Sequence, residues 1–200
     1  MTSLNWNRNL VLEGHVLRLA SPADAEGLAG LMAEPDVEQW WHQAWEVDRW
    51  EEYVTGLLHD PDSLALTLAE GDRVTGYVEV YRVAADVLGR YIDHTQTDLG
   101  MHLALGEGSR GRGLGARLIR GVLDSAPEIL PGCGRLVAEP DFLNKRSHRA
   151  FGDAGFAAVD AVQLPDKTAM LMAAEPPLPW RDTGSSLEHA NRANREGAPL

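Results

Sequence analysis

Hydrophobic and polar positions along this 200-residue chain change period repeatedly, and each change marks the border of a strand or helix. Val16 to Ala20 reads as a short strand. Ser21-Pro22-Ala23-Asp24 then has the form of a helix start, with Ser21 as N-cap, Pro22 at the first helical position and an acid three residues after the cap. Ala25, Leu28, Ala29 and Met32 fall on one face of that helix, and Pro35 interrupts it. A Trp-rich segment, Trp40, Trp41 and Trp45, leads into a second helix with Trp50, Val54, Leu57 and Leu58 on one side.

Leu64 to Leu68 and Val74 to Tyr81 alternate as strands, joined through the turn residues Glu70-Gly71-Asp72. In the second strand Val74, Gly76, Val78 and Val80 point one way, and Tyr77, Glu79 and Tyr81 the other. A polar loop, about 82 to 97, precedes a central strand from Asp98 to Leu105. A helix follows with Leu114, Leu118, Val122 and Leu123 inward. Arg135 to Glu139 is another strand, Asn144 to Ala154 a helix bounded by Gly155, and Phe156 to Val159 and Thr168 to Met172 the last strands. This order predicts an α/β (α+β) fold, a mixed and mostly antiparallel sheet with helices on both faces. One domain spans 1–175. From 176 to 200 the composition turns to Pro, Ser, Asn, Arg and Glu and predicts a flexible tail, part of which Trp180 can anchor.

Between the central strand and its helix lies Arg110-Gly111-Arg112-Gly113-Leu114-Gly115. A strand that breaks into glycines and then a helix leaves backbone N–H groups unpaired, and the helix dipole adds positive charge there. Such a turn holds an anion, usually a phosphate. The glycine spacing is not that of a dinucleotide-binding fold, and no Lys-Ser or Lys-Thr pair follows as in a nucleotide-triphosphate loop.

Charge narrows the partners. The net charge of −12 argues against nucleic acid, because phosphate backbones need clustered Lys and Arg. The clustered basic residues, Arg110 with Arg112 and Lys145 with Arg146, suit the phosphates of one coenzyme. No apolar run is long enough for a membrane span, and Met1 to Arg8 lacks the apolar core of a signal peptide. A single cysteine, Cys133, fits a reducing cytoplasm. No His, Cys or carboxylate spacing suggests a metal site.

The run Arg-x-x-Gly-x-Gly from Arg110 to Gly115 resembles the pyrophosphate-cradling turn of the GCN5-related N-acyltransferases. The resemblance implies acyl-coenzyme A as co-substrate, bound by Arg110, Gly111, Arg112, Gly113, Leu114 and Gly115, with Leu103 and Leu105 on the strand beside the thioester arm. Asn144, Phe151 and Gly155-Phe156 are similar to the family's Asn-containing helix ending in Gly-Phe, which adds Asn144 to the coenzyme site. Many members place a tyrosine seven residues after that asparagine to protonate the departing thiolate. Phe151 stands there instead. Either another group supplies the proton, or the thiolate leaves stabilised by backbone donors.

A narrower resemblance rests on Asp98-Leu99-Gly100-Met101-His102, Glu139-Pro140-Asp141 and Pro165-Asp166-Lys167. Together these are similar to the siderophore-biosynthesis N-acyltransferases, which acylate the N6-amino or N6-hydroxylamino group of a lysine-like molecule. The resemblance covers roughly 10 to 174 and implies His102 and Asp141 as catalytic residues. His102 shares a strand face with the small Gly100 and Ala104, and an imidazole there can take a proton from an attacking nitrogen. Asp141 can orient His102 or the substrate nitrogen. The blander alternatives are a core histidine for His102 and a helix cap for Asp141. Trp40 and Trp41 are core residues or the wall of an acceptor slot, and Glu79 and Tyr81 can meet a cationic acceptor.

The expected reaction is direct transfer from acyl-coenzyme A to a small-molecule hydroxylamine or amine of lysine, ornithine or cadaverine type. The aminoglycoside 6'-N-acetyltransferases share the glycine turn and a similar Trp-rich opening, and an acidic surface suits their polycationic acceptors. A non-catalytic acyl-coenzyme A-binding module is the third reading, favoured by Phe151 and opposed by the placement of His102.

Overall fold

The computed structural model describes residues 2–177. Eight strands form one sheet: β1 (Leu10–Leu12), β2 (His15–Leu19), β3 (Ser63–Glu70), β4 (Arg73–Arg82), β5 (Leu99–Leu105), β6 (Leu136–Ala138), β7 (Ala157–Gln163) and β8 (Thr168–Ala174). Their spatial order is β1-β2-β3-β4-β5-β6-β8-β7. Every neighbouring pair is antiparallel except β5 with β6, which run parallel. Five helices accompany the sheet: α1 (Ala25–Met32), α2 (Pro35–Trp41), α3 (Val47–Leu57), α4 (Leu114–Ile129) and α5 (Lys145–Asp153). None of these is long and apolar enough to cross a membrane.

Strand alternation sends side chains to two cores. From β4 and β5, Val78, Val80, Leu99 and Met101 pack with Leu118, Ile119 and Val122 of α4 and Phe151 of α5. From the opposite face, Tyr77 and Ala104 pack with Leu28 and Met32 of α1 and with Trp50 and Val54 of α3. A third cluster joins Tyr81, Leu88, Val137, Leu164, Ala169 and Leu171 around the far end of β6. The helices therefore cover both faces, as the alternation in β4 predicts.

Local chemistry explains the borders. Asp24 closes the first helical turn by accepting the Ser21 N–H at 2.8 Å, and Arg18 clasps the same carboxylate through two nitrogens at 2.6 and 2.8 Å. That charged clasp holds the Asp24 carboxyl below its ordinary range, although burial works the other way. Pro35 does more than interrupt α1. It opens α2 with Glu34 as the N-cap. The strand β1 is three residues long and carries too short an alternation to read, and the loop 82–97 contains 3-10 turns at Val83–Ala85 and Val87–Arg90. The tail expected at 176–200, Trp180 included, falls outside the described residues from 178 onward.

One irregularity shapes the rest. β5 and β6 pair only at Leu99↔Leu136 and Gly100↔Val137. Beyond them β6 reaches Glu139-Pro140, and a proline has no N–H to continue a ladder. The remaining edge of β5, from Met101 to Leu105, is left without a strand partner, and the sheet opens there as a wedge.

Gly100 sits at the apex. A Cβ built on it would lie 2.2 Å from the Tyr81 ring, so the absent side chain is what lets that ring lie flat across β5. Gly100→Ala is expected to displace Tyr81 and destabilise the fold by about 1–3 kcal/mol through overpacking, read as a lowered urea midpoint with an unchanged slope.

Candidate active site

The open edge of β5 and the end of β6 frame a cavity of about 350 Å³. Its walls include His102 and Leu103 from β5, Glu79 from β4, Trp40 and Trp41 from α2, Asp141 and Asn144 beyond β6, and Lys167 from the β7–β8 turn. Eight of the residues expected from the sequence meet at this cavity or at its edge: His102, Asp141, Leu103, Asn144, Trp40, Trp41 and Glu79 line it, and Leu105 ends the strand that opens it.

His102 is the chemical centre. Its Nε2 lies 2.5 Å from Glu139 Oε1, and its Nδ1 has no hydrogen-bond partner among the described residues. Trp41 packs edge-on against the imidazole at a centroid distance of 5.9 Å. Glu139 is only 6% exposed, and it is also held by the Tyr81 hydroxyl, which donates to Oε2 at 3.1 Å, and by Lys167 Nζ at 3.8 Å. Burial alone would push His102 towards neutrality. The Glu139 carboxylate outweighs it, with Glu79 adding to the same sign and Lys167 opposing, and the imidazole is raised to about 9. In Glu139 burial works to raise the carboxyl, but the charge and hydrogen bond of His102 prevail and hold it near 2. The pair is an imidazolium and a carboxylate at neutral pH.

Three of the expected residues make contacts that the sequence did not indicate. The carboxylate on His102 is Glu139, not Asp141. The Asp141 carboxylate instead accepts the Leu143 N–H at 2.8 Å, tightening the turn before α5. Glu139 directly follows β6 and turns its carboxylate onto His102. Asp141, bridged to Ala169 of β8 beyond Pro140, turns its carboxylate back along its own chain. Tyr81, expected to meet the acceptor, is 3% exposed and stands behind the site as a donor to Glu139. Its hydroxyl stays protonated because burial, and then the Glu139 charge, push its pKa far up.

The third of these residues is Arg110. Its guanidinium is already committed within the chain: Nε donates to the Leu105 carbonyl at 2.6 Å, Nη2 to Glu34 at 2.6 Å and Nη1 to Asp36 at 2.8 Å. It fastens α2 to the glycine turn. The turn itself has the expected form. Gly111 and Gly113 have φ of 81° and 74°, a region open chiefly to glycine. The first helical bond runs from the Arg117 N–H to the Gly113 carbonyl at 3.2 Å, which leaves the Leu114, Gly115 and Ala116 N–H groups without helical partners. A Cβ on Gly115 would lie 3.3 Å from Leu105, so the helix start packs close to the open strand. These groups, with the exposed Arg112, fit the diphosphate of a coenzyme, and the wedge beside β5 leads from them to His102.

Asn144 caps α5, accepting the Ser147 N–H at 3.0 Å, while its amide group borders the cavity. Phe151 is 3% exposed and stacks edge-on with Phe156 at 5.1 Å. Its phenyl ring has no proton to supply. A pair of hydroxyls gathered on one carboxylate lies across the cavity. Tyr53 and Tyr77 both donate to Glu79, at 3.1 and 3.0 Å. Tyr77 falls on the same strand face as Glu79, which the alternation does signal. Tyr53 comes from a different helix, which it does not.

Comparison with known proteins agrees with this geometry. Residues 21–164 match the family model described as acetyltransferase (GNAT) domain. The chain is 31% identical over 162 residues to lysine N-acyltransferase MbtK of Mycobacterium tuberculosis, spanning 80% of this chain and 77% of that protein. It is 29% identical over 160 residues to the N(6)-hydroxylysine O-acetyltransferase of Escherichia coli, covering 79% of this chain and 51% of the relative. Among solved structures, aminoglycoside acetyltransferase AAC(6')-Ib in complex with coenzyme A shares the fold with a TM-score of 0.72 at 21% identity, over 80% of this chain and 94% of that one. The chain belongs to the GNAT acetyltransferase family and is an acyl-coenzyme A-dependent transferase.

Proposed function

We propose that this protein transfers an acyl group from acyl-coenzyme A to the terminal hydroxylamine or amine of a lysine, ornithine or cadaverine-like molecule, as a cytoplasmic step in hydroxamate siderophore assembly. The observation that carries the reading is the His102–Glu139 pair at the foot of the wedge, inside a cavity that also holds Glu79, Asp86 and Asp166. Those carboxylates suit a cationic acceptor. The names of the relatives, which act on lysine and N6-hydroxylysine, support the same class of molecule.

In this mechanism the coenzyme supplies an activated thioester, and the chain's residues handle position and protons. The backbone donors of Leu114 to Ala116 hold the diphosphate, and the free edge of β5 aligns the arm. The neutral His102 Nδ1 takes a proton from the attacking nitrogen, and Glu139 stabilises the imidazolium that forms. His102 then returns the proton to the departing thiolate, the task Phe151 cannot perform. Attack is direct. Cys133 has a thiol pushed up to about 11, chiefly by burial, and does not line the cavity.

The pH dependence follows from the sign of the His102 shift. Below about 9 the imidazole already holds a proton and cannot accept another. At pH 7 about one molecule in a hundred is ready, and the fraction rises tenfold per pH unit. With a hydroxylamine acceptor, whose nitrogen is neutral in this range, kcat/KM is expected to climb with pH and level off near 9. Glu139→Gln removes the charge that holds the proton, so burial then lowers His102. The climb shifts to lower pH and the plateau falls, because a weaker base remains. A wild-type profile that declines through this range instead would assign His102 the opposite role, as an acid.

Thiol release from a panel of acyl-coenzyme A donors tests the acceptor. N6-hydroxylysine, N-hydroxycadaverine, lysine and an aminoglycoside are offered in turn to wild type and His102→Ala. We expect turnover on a hydroxylamine, falling about 100-fold or more in the variant. Turnover confined to the aminoglycoside, the acceptor class of the solved relative, overturns the siderophore reading. Coenzyme binding without any turnover makes the chain a binding module.

A further inference from the structure

Glu79 is bound more firmly than a residue that merely colours the cavity wall. It stands on β4 directly opposite His102 on β5, and paired side chains on adjacent antiparallel strands have Cβ atoms about 4.5–5.5 Å apart. Both residues face the same cavity. The Tyr77 hydroxyl donates to Glu79 Oε2 at 3.0 Å, and the Tyr53 hydroxyl reaches Oε2 at 3.1 Å and Oε1 at 3.3 Å. Burial first, and then the Glu79 charge, hold both phenols far above their ordinary range. They remain donors at any working pH.

Two phenol protons do not use up this carboxylate. An ionised carboxylate offers about four lone-pair positions, and a phenol donates one proton. A neutral amide oxygen would satisfy Tyr53 and Tyr77 equally well. Placing a full negative charge beside His102, partly exposed to the cavity, leaves accepting capacity pointed at whatever His102 deprotonates. The order across the sheet is Glu79 on β4, His102 on β5, then the wedge. A group held by Glu79 therefore sits about one strand spacing, ~4.8 Å, farther from the thioester than a group held by His102.

Building on the proposed function, we propose that Glu79 is a specificity-determining residue that anchors the hydroxyl of a hydroxylamine acceptor and so selects nitrogen as the attacking atom. The O–H donates to Glu79 and keeps its proton throughout. The nitrogen, beside His102 and nearer the wedge, attacks the thioester carbonyl. A C–N bond forms, the C–S bond breaks, and the nitrogen's proton passes through His102 to the thiolate. The products are a hydroxamic acid and free coenzyme thiol, with nothing oxidised or reduced. Tyr53 and Tyr77 are positioning residues that keep the carboxylate from swinging towards the wedge.

The test compares wild type with Glu79→Gln, using N-hydroxycadaverine and the matched amine cadaverine with one acyl-coenzyme A. The amide oxygen still accepts from the two phenols, so the core contact survives, but an NH2 group now faces the acceptor. Products are separated into the N-acyl hydroxamate, which forms a coloured ferric complex, and the O-acyl ester, which does not. The variant is expected to raise KM for the hydroxylamine about tenfold, the loss of one hydrogen bond to a charged group. It should release O-acyl product and leave KM for acyl-coenzyme A unchanged. Equal losses on hydroxylamine and amine with no O-acyl product overturn the proposal, as does an unchanged KM for the hydroxylamine. Failure of the acceptor class itself is read separately, as absence of wild-type turnover on both compounds. Glu79→Ala with the same readouts, and a thermal midpoint beside each, separates loss of the anchor from loss of folding.

Discussion

The contact between His102 and Glu139 holds the site together, and the surrounding structure is arranged to make it possible. Glu139 is the last residue before a proline ends β6, and that ending opens the wedge beside β5. Gly100 gives up its side chain so that Tyr81 can cross β5 and donate to Glu139. Lys167 approaches from the β7–β8 turn. A buried carboxylate is costly unless paired and hydrogen-bonded, and this one has a cation, a phenol and an ammonium group around it. Removing any of them leaves a nearly buried carboxylate with one partner fewer.

The same pair sets stability and reactivity against each other. Glu139 is held low, near 2, so its contribution to folding is present above its ordinary 4.5 and is lost as pH falls towards 2. His102 is held high, so its contribution is complete below its ordinary 6.5 and is lost as pH rises through about 9. The proposed mechanism needs the neutral imidazole, the form that appears as that contribution disappears. The carboxylate that makes His102 a strong base is also what keeps most of it protonated at rest.

A second constraint ties the two ends of the active site together. Arg110, at the start of the glycine turn, binds Glu34 and Asp36 at the start of α2, and Arg146 of α5 reaches the same Asp36 at 3.2 Å. α2 carries Trp41 onto His102. The turn proposed to meet the coenzyme and the wall proposed to meet the acceptor are thus braced by one cluster of ion pairs. The Arg110 end of it is only 15% exposed, so these pairs are screened less than surface ones.

Much of this was legible in the sequence because it is local or periodic. Strand alternation grouped Glu79 with Tyr77 on β4 and His102 with Gly100 on β5, two sets that pairing brings onto one sheet face, and the glycines announced the turn before α4. What escaped depends on distant partners. Nothing near Arg110 shows that its guanidinium is taken by residues 74 and 76 positions away. Nothing near Tyr81 shows that it lies under the site rather than in it. The choice between Glu139 and Asp141 depends on the path of the segment around Pro140 against β8, and two carboxylates flanking a proline look alike on paper. Tyr53 reaches Glu79 only because α3 packs over β4, a matter of tertiary contact alone.

Direct titration of the histidines by NMR, with His102 identified through its Gln variant, tests the central claim without relying on any substrate. The wild-type imidazole should titrate near 9, and in Glu139→Gln it should fall to its ordinary 6.5 or below. A wild-type His102 that titrates at the ordinary value, and does not respond when Glu139 is neutralised, would contradict the account of the pair and of the base it creates.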